Sequence, residues 1–166
     1  MTVPERLTVV RANLSDPGHA DAVLALTDAY AQDPMGNDAA LDPAVRARLI
    51  DGLKGHPTTL VFLAYVGEAP AGIATCFRGF STFNARPLIN IHDLSVLPAL
   101  RGMGIGRALL AAVEREARAT GCCRVTLEVR EDNLRARRTY AAAGFGPASA
   151  DARTDAATYF FLSKPL

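Results

Sequence analysis

Three glycines at alternate positions, Gly102, Gly104 and Gly106, follow an apolar run that ends at Pro98, and a helix-forming pattern starts at once behind them. Glycines let a backbone adopt positive φ and approach a ligand closely, so that several N–H groups point to one place. The first turn of the following helix adds unpaired N–H groups and the positive end of its dipole. Such a turn binds phosphate oxygens. Upstream, His92 is a side chain able to exchange protons near neutrality. Downstream, Tyr140 reads on its own as a helix tyrosine whose ring packs and whose hydroxyl reaches solvent.

Spacing separates the phosphate-binding readings. A Walker loop ends in Gly-Lys-Ser/Thr, whereas Gly106 is followed by Arg107 and Ala108. A dinucleotide fingerprint wants a third small residue where Arg107 or Leu109 stands, although Glu128 lies where its ribose-binding acid would be. That reading stays open as an alternative.

The elements that must position these residues follow from periodicity. Leu7–Arg11 reads as a first strand, and residues 19–31 as a helix stopped by Asp33-Pro34. Asp42 caps a second helix over Pro43–Gly55. Thr58–Val66 and Ala71–Gly79 form a hairpin, and the segment Gly79–Pro87 is a loop whose Phe80 and Phe83 either pack in the core or wall a pocket.

The strand Leu88–Leu97 carries an irregularity. Ile89 and Ile91 are apolar at odd positions, Leu94 and Val96 at even ones, which one buried face of a regular strand does not allow. A bulge near His92-Asp93 resolves the conflict and leaves backbone N–H groups unpaired there. His92 is then either a base or a histidine hydrogen-bonded in the sheet, and Asp93 either orients it or satisfies the bulge. A helix from Ile105 to Gly121, a strand Arg124–Arg130, a short helix capped by Asn133 and closed by Gly144, and a last strand over Ala156–Ser163 complete the chain. A polar loop from Ser149 to Asp155 precedes that last strand.

Composition narrows the classes. The 166 residues suit one domain with its own core, and 49% hydrophobic with 21% charged residues describe a soluble globule. No signal-type segment and no membrane-length apolar run is present, so a cytoplasmic protein without membrane contact is expected. Cys76, Cys122 and Cys123 lack metal-ligand spacing and read as small core residues. No metal is expected. Between Leu14 and Asp42 stand six aspartates and no Lys or Arg, whereas nine arginines outnumber five carboxylates from Pro98 to Arg138. An acidic lobe for a cation and a basic lobe for a polyphosphate suit transfer from an anionic cofactor to an amine; capped and solvated helix faces are the alternative. Arg135, Arg137 and Arg138 on a short helix raise a nucleic-acid reading, which a solvated face explains equally well, and no nucleic-acid partner is expected.

Arg101-Gly-Met-Gly-Ile-Gly106 resembles the acyl-CoA pyrophosphate loop, Gln/Arg-x-x-Gly-x-Gly/Ala, of the GCN5-related N-acetyltransferase (GNAT) superfamily. Asn133, Ala136, Tyr140, Gly144 and Phe145 are similar to its second signature, Asn-x-x-Ala-x-x-x-Tyr-x-x-x-Gly-Phe. The resemblance implies an α/β fold of the α+β kind: a mixed, mostly antiparallel sheet of six to seven strands, a parallel and splayed fourth and fifth strand, and about four helices. It implies acetyl-CoA held by Leu94, Ser95, Val96, Arg101, Gly102, Met103, Gly104, Ile105, Gly106, Arg107, Asn133, Arg135 and Tyr140, with Tyr140 as acid and His92 as candidate base. Direct acetyl transfer to a primary amine of a small cationic molecule, without an acyl-enzyme, and a homodimer are implied as well. The context Ile91–Val96, with Phe-x-x-Phe and Arg-Pro upstream, looks like the polyamine and thialysine branch, which carries Glu where His92 stands. A non-catalytic acyl-CoA sensor or interaction module is the rival reading.

Overall fold

A computed structural model describes residues 6–147 and 159–166. Seven strands form one sheet: β1 (Leu7–Arg11), β2 (Thr59–Val66), β3 (Ala69–Ser81), β4 (Arg86–Val96), β5 (Arg124–Arg130), β6 (Gly146–Pro147) and β7 (Tyr159–Pro165). Their order is β1-β2-β3-β4-β5-β7-β6. Among the described residues only β4 and β5 run parallel, and every other neighbouring pair is antiparallel. Four α-helices, α1 (Pro17–Gln32), α2 (Pro43–Gly55), α3 (Ile105–Ala119) and α4 (Leu134–Ala142), accompany it. This is the expected mixed α/β architecture. The expected polar loop over Ser149–Asp155 and Ala156 to Thr158, the start of the expected last strand, lie outside the described residues.

The helices divide between the two faces of the sheet. On one, α3 buries Ile105, Leu109, Leu110 and Val113 against β2, β4 and β5. Each such side chain contributes about 1.5–3 kcal/mol. On the other, α1 buries Ala22, Val23 and Leu26 against Val61, Leu63 and Ile73. Helix α2 packs beside α1 through Ile50 and Leu53 and has no fully buried residue. Caps follow the sequence: Asp16 Oδ1 accepts from His19 N at 2.9 Å, Asp42 Oδ1 from Ala44 N at 2.8 Å, and Asn133 Oδ1 from Ala136 N at 3.2 Å.

The bulge sits where the apolar pattern breaks. In the β3–β4 ladder Cys76 faces Ile91 and Thr75 faces Asp93, so His92 has no partner in β3. The extra residue puts Ile89, Ile91, Leu94 and Val96 all into the core beneath α3. The parallel pairing of β4 with β5 covers only Ile89–Ile91 against Val125–Leu127. Beyond Ile91 the two strands part.

Two expectations are corrected. The segment Gly79–Pro87 is mostly strand, because β3 runs to Ser81 and β4 begins at Arg86. Phe80 and Phe83 therefore ride the tip of a long hairpin, 63% and 100% exposed, and neither enters the core or the central cavity. The dinucleotide alternative fails as well, since one parallel pair in an otherwise antiparallel sheet is not a doubly wound fold.

Candidate active site

The parting of β4 from β5 opens a cavity of about 360 Å3. Ile91 to Leu94 of β4 form one wall and Leu127 to Arg130 of β5 the other. Asn90 bridges the strands just before the split, its Nδ2 donating to Thr126 Oγ1 at 3.0 Å. Tyr140 and Asn133 enter from α4, Tyr30 from α1, and Met35, Gly36 and Asn37 from the loop behind α1. The structure thus brings His92, Leu94, Asn133 and Tyr140 together.

The glycine turn lies on the α3 side of the same split. Gly102 and Gly104 adopt φ of +84° and +82°, and a Cβ on either would meet nothing within 4 Å. Their form is set by backbone conformation, not by crowding. The first N–H of α3 to find an acceptor is that of Ala108, which donates to Gly104 C=O at 3.0 Å. The N–H groups of Ile105, Gly106 and Arg107 are left without a protein acceptor among the described residues. Gly106 faces the groove. A Cβ there would stand 3.9 Å from side chains of Leu94, Val96 and Thr139, at the seam of α3, β4 and α4.

Electrostatics single out three groups in the cavity. Burial raises the Asp93 carboxyl above the usual range, with the neighbouring His92 opposing it. Burial also raises the Tyr30 phenol, and Asp93 adds to that. Tyr140 is raised by burial and by the proximity of Tyr30 and Asp93, so it keeps its proton at neutral pH. The sequence reading that sends its hydroxyl to bulk solvent is corrected. Tyr140 is only 6% exposed, its ring tilted against Phe145 at 6.1 Å.

Other residues are placed differently from the expectation. The Arg101 guanidinium is turned partly inward, where Nη2 donates to Asp33 Oδ2 and Nε to Val96 C=O at 3.1 Å. Met103, Arg107 and Arg135 are exposed, Met103 and Arg107 in or just behind the glycine turn. Arg137 lies over the Phe160 ring at 4.7 Å and donates to Glu131 C=O at 2.9 Å, while Arg135 and Arg138 are exposed. The acidic lobe is largely structural: Asp16 and Asp42 are caps, Asp28 pairs with Arg46 at 3.0 Å, and Asp33 holds Arg101. Within the cavity, Asp93 and Glu128 are the carboxylates.

Tyr30, Gly36 and Asn37 carry no motif and were not assigned from sequence. A Cβ on Gly36 would sit 2.1 Å from Tyr30 C=O, so only glycine lets this loop close over α1. The nearest sequence signal is the Asp33-Pro34 stop that forces the turn.

The profile of the acetyltransferase (GNAT) family matches residues 23–145, which include the bulged strand, the glycine turn and α4. The chain belongs to this family. A thialysine N-epsilon-acetyltransferase of Caenorhabditis elegans is 27% identical over 121 residues, 72% of each chain. A mycothiol acetyltransferase of Kineococcus radiotolerans is 35% identical over 154 residues, 91% of this chain and 47% of the relative's length. In shape, the chain is similar to one in the NatC complex bound to Gag peptide and CoA, with a TM-score of 0.73 over 97% of this chain and 99% of that one at 19% identity. This GNAT protein is an acetyl-CoA-dependent acetyltransferase, and the sensor reading gives way to it. The residues present fit the cofactor: left-handed glycines, free N–H groups and a Gly106 whose missing side chain keeps the groove open.

Proposed function

We propose that this GNAT acetyltransferase acetylates a primary amine of a small molecule that arrives as a cation. The observation that carries the reading is the pair Asp93 and Tyr140, a half-buried carboxyl and a buried phenol on one cavity. When bound, acetyl-CoA supplies an acetyl group activated as a thioester. The chain's own residues do the rest. Beyond Ile91 the β5-facing edge of β4 is unpaired, and its backbone groups orient the acyl end. The glycine turn and the start of α3 receive the phosphates.

An amine of pKa about 10.4 is mostly protonated at pH 7, a deficit of roughly 4–5 kcal/mol. The carboxylate of Asp93 attracts the ammonium, and His92, the unpaired residue of the bulge, takes its proton. Tyr140 Oη, which holds its own proton at neutral pH, would give that proton to the departing thiolate and be reprotonated from solvent. A homodimer belongs to the same reading and rests on the family resemblance.

Release of free CoA, followed with a panel of primary amines, amino alcohols and thiols, tests the proposal. Turnover with primary amines, lost in His92→Gln and shifted to higher KM in Asp93→Asn, is the expected result. Turnover only with hydroxyl or thiol acceptors refutes it.

A further inference from the structure

A second concavity, of about 610 Å3, lies between α2 and the outer face of β3 and β4. Its walls are Val45, Leu49 and Leu53 of α2 and Phe77 of β3, with His56 at one end. His92 lines both this groove and the catalytic cavity, so the two adjoin at this residue. An aromatic row marks the passage: the rings of His56 and Phe77 meet edge to face at 5.1 Å, and those of Phe77 and His92 at 5.6 Å.

The apolar wall is only partly spent on the fold: Leu53 packs against the core beneath α1, while Leu49 and Phe77 stay half-exposed. Helix α2 buries none of its residues fully, and Val45 is 41% exposed. Charge is divided between the two spaces. The groove is lined by Arg48, whose Nε is held by Ala44 C=O at 3.0 Å, and by no carboxylate. Asp93 and Glu128 lie in the cavity. A cationic head is therefore favoured on the cavity side of His92, and a second positive charge is disfavoured on the groove side, next to Arg48.

We propose that the acceptor is a primary monoamine carried on an apolar arm, the arm lying along α2 and the amine passing His92 into the catalytic cavity. This rests on the amine reading above and narrows it, away from the polyamines that the bulged-strand context resembles. An arm that enters the groove leaves water for Leu49, Leu53 and Phe77, and each methylene so buried improves capture about fourfold.

The matched pair pentylamine and cadaverine, equal in length and different by one ammonium, tests it, together with the series propylamine to heptylamine. The expected kcat/KM rises with chain length and favours pentylamine over cadaverine at least tenfold. In Val45→Asp, a change at an exposed position, pentylamine falls and cadaverine rises. A general loss of helix packing would lower both. Equal or better use of cadaverine, or a kcat/KM flat with chain length, overturns the apolar-arm proposal while leaving the amine reading standing. Acetylation of none of these amines by protein that binds acetyl-CoA overturns both.

Discussion

Gly106→Leu separates fold from cofactor, because the two should respond with opposite sign. Gly106 is the second residue of α3, with ordinary helical φ. The family pattern admits alanine at this position, so a longer side chain is needed for the test. Leucine in a helix is favoured over glycine by up to about 1 kcal/mol, less near an end. Its Cβ would stand 3.9 Å from Leu94, Val96 and Thr139, ordinary van der Waals contact with no overlap. The unliganded protein should therefore gain about 0.5–1 kcal/mol, which for a chain of this size raises Tm by roughly 1–4 °C. The same side chain projects into the groove that the cofactor's backbone contacts need. Overpacking a fitted contact costs about 1–3 kcal/mol, and 1.4 kcal/mol is tenfold in Kd, so CoA should bind about 5- to 150-fold more weakly. Thermal melts without ligand and calorimetric titration with CoA read the two effects. A higher Tm with a CoA Kd unchanged within about twofold would show that nothing binds against Gly106 and would refute the placement.

Tyr140→Phe removes one hydroxyl and should lower kcat by about 10²- to 10⁴-fold while CoA titrates nearly as before; turnover close to wild type would remove the acid role. Gly36→Ala forces a Cβ to within 2.1 Å of Tyr30 C=O, so the loop must shift. Steady-state kinetics should show kcat/KM for the amine about 10- to 100-fold lower with unchanged CoA affinity, and equal losses for both ligands would contradict the placement of this loop on the acceptor side. Arg101→Met leaves the buried Asp33 carboxylate without its guanidinium and should cost about 1–3 kcal/mol in thermal or urea unfolding at pH 7. Burial raises the Asp33 carboxyl, but the hydrogen bonds from Arg101 and Met35 N outweigh it and hold it below the usual range. A depressed folded pKa stabilises above the unfolded value of about 3.9 and is lost as pH falls through the folded one, so the wild-type advantage should shrink only below about pH 4. An advantage that grows in acid would contradict the pairing.

What could be read before the structure was whatever leaves a local trace. The bulge at His92 shows itself as a change of parity between Ile91 and Leu94, because one extra residue turns every later side chain over. Asn133 and Gly144 announce the ends of α4 through capping chemistry, with Gly144 at φ +89°. Asp33 and Arg101 are 68 residues apart, and no periodicity links an aspartate in a turn after α1 to an arginine before α3. Their pairing engages part of a guanidinium that the motif places beside the phosphates. Tyr30 fits a helix face and Gly36 a turn, and only the close approach of that turn to α1 makes them walls of the cavity. Phe80 and Phe83 were open between core and pocket, and the length of the β3–β4 hairpin, set by a ladder running from Gly72–Val96 to Ser81–Arg86, carries them clear of both.

Amide hydrogen exchange with and without saturating acetyl-CoA tests the cofactor groove most directly. Slowed exchange by about tenfold or more at residues 92–96 and 102–107, with α2 (Pro43–Gly55) unchanged, is the predicted result. Saturation that leaves residues 92–96 exchanging at the free rate would contradict a groove running from the glycine turn along the parted edge of β4.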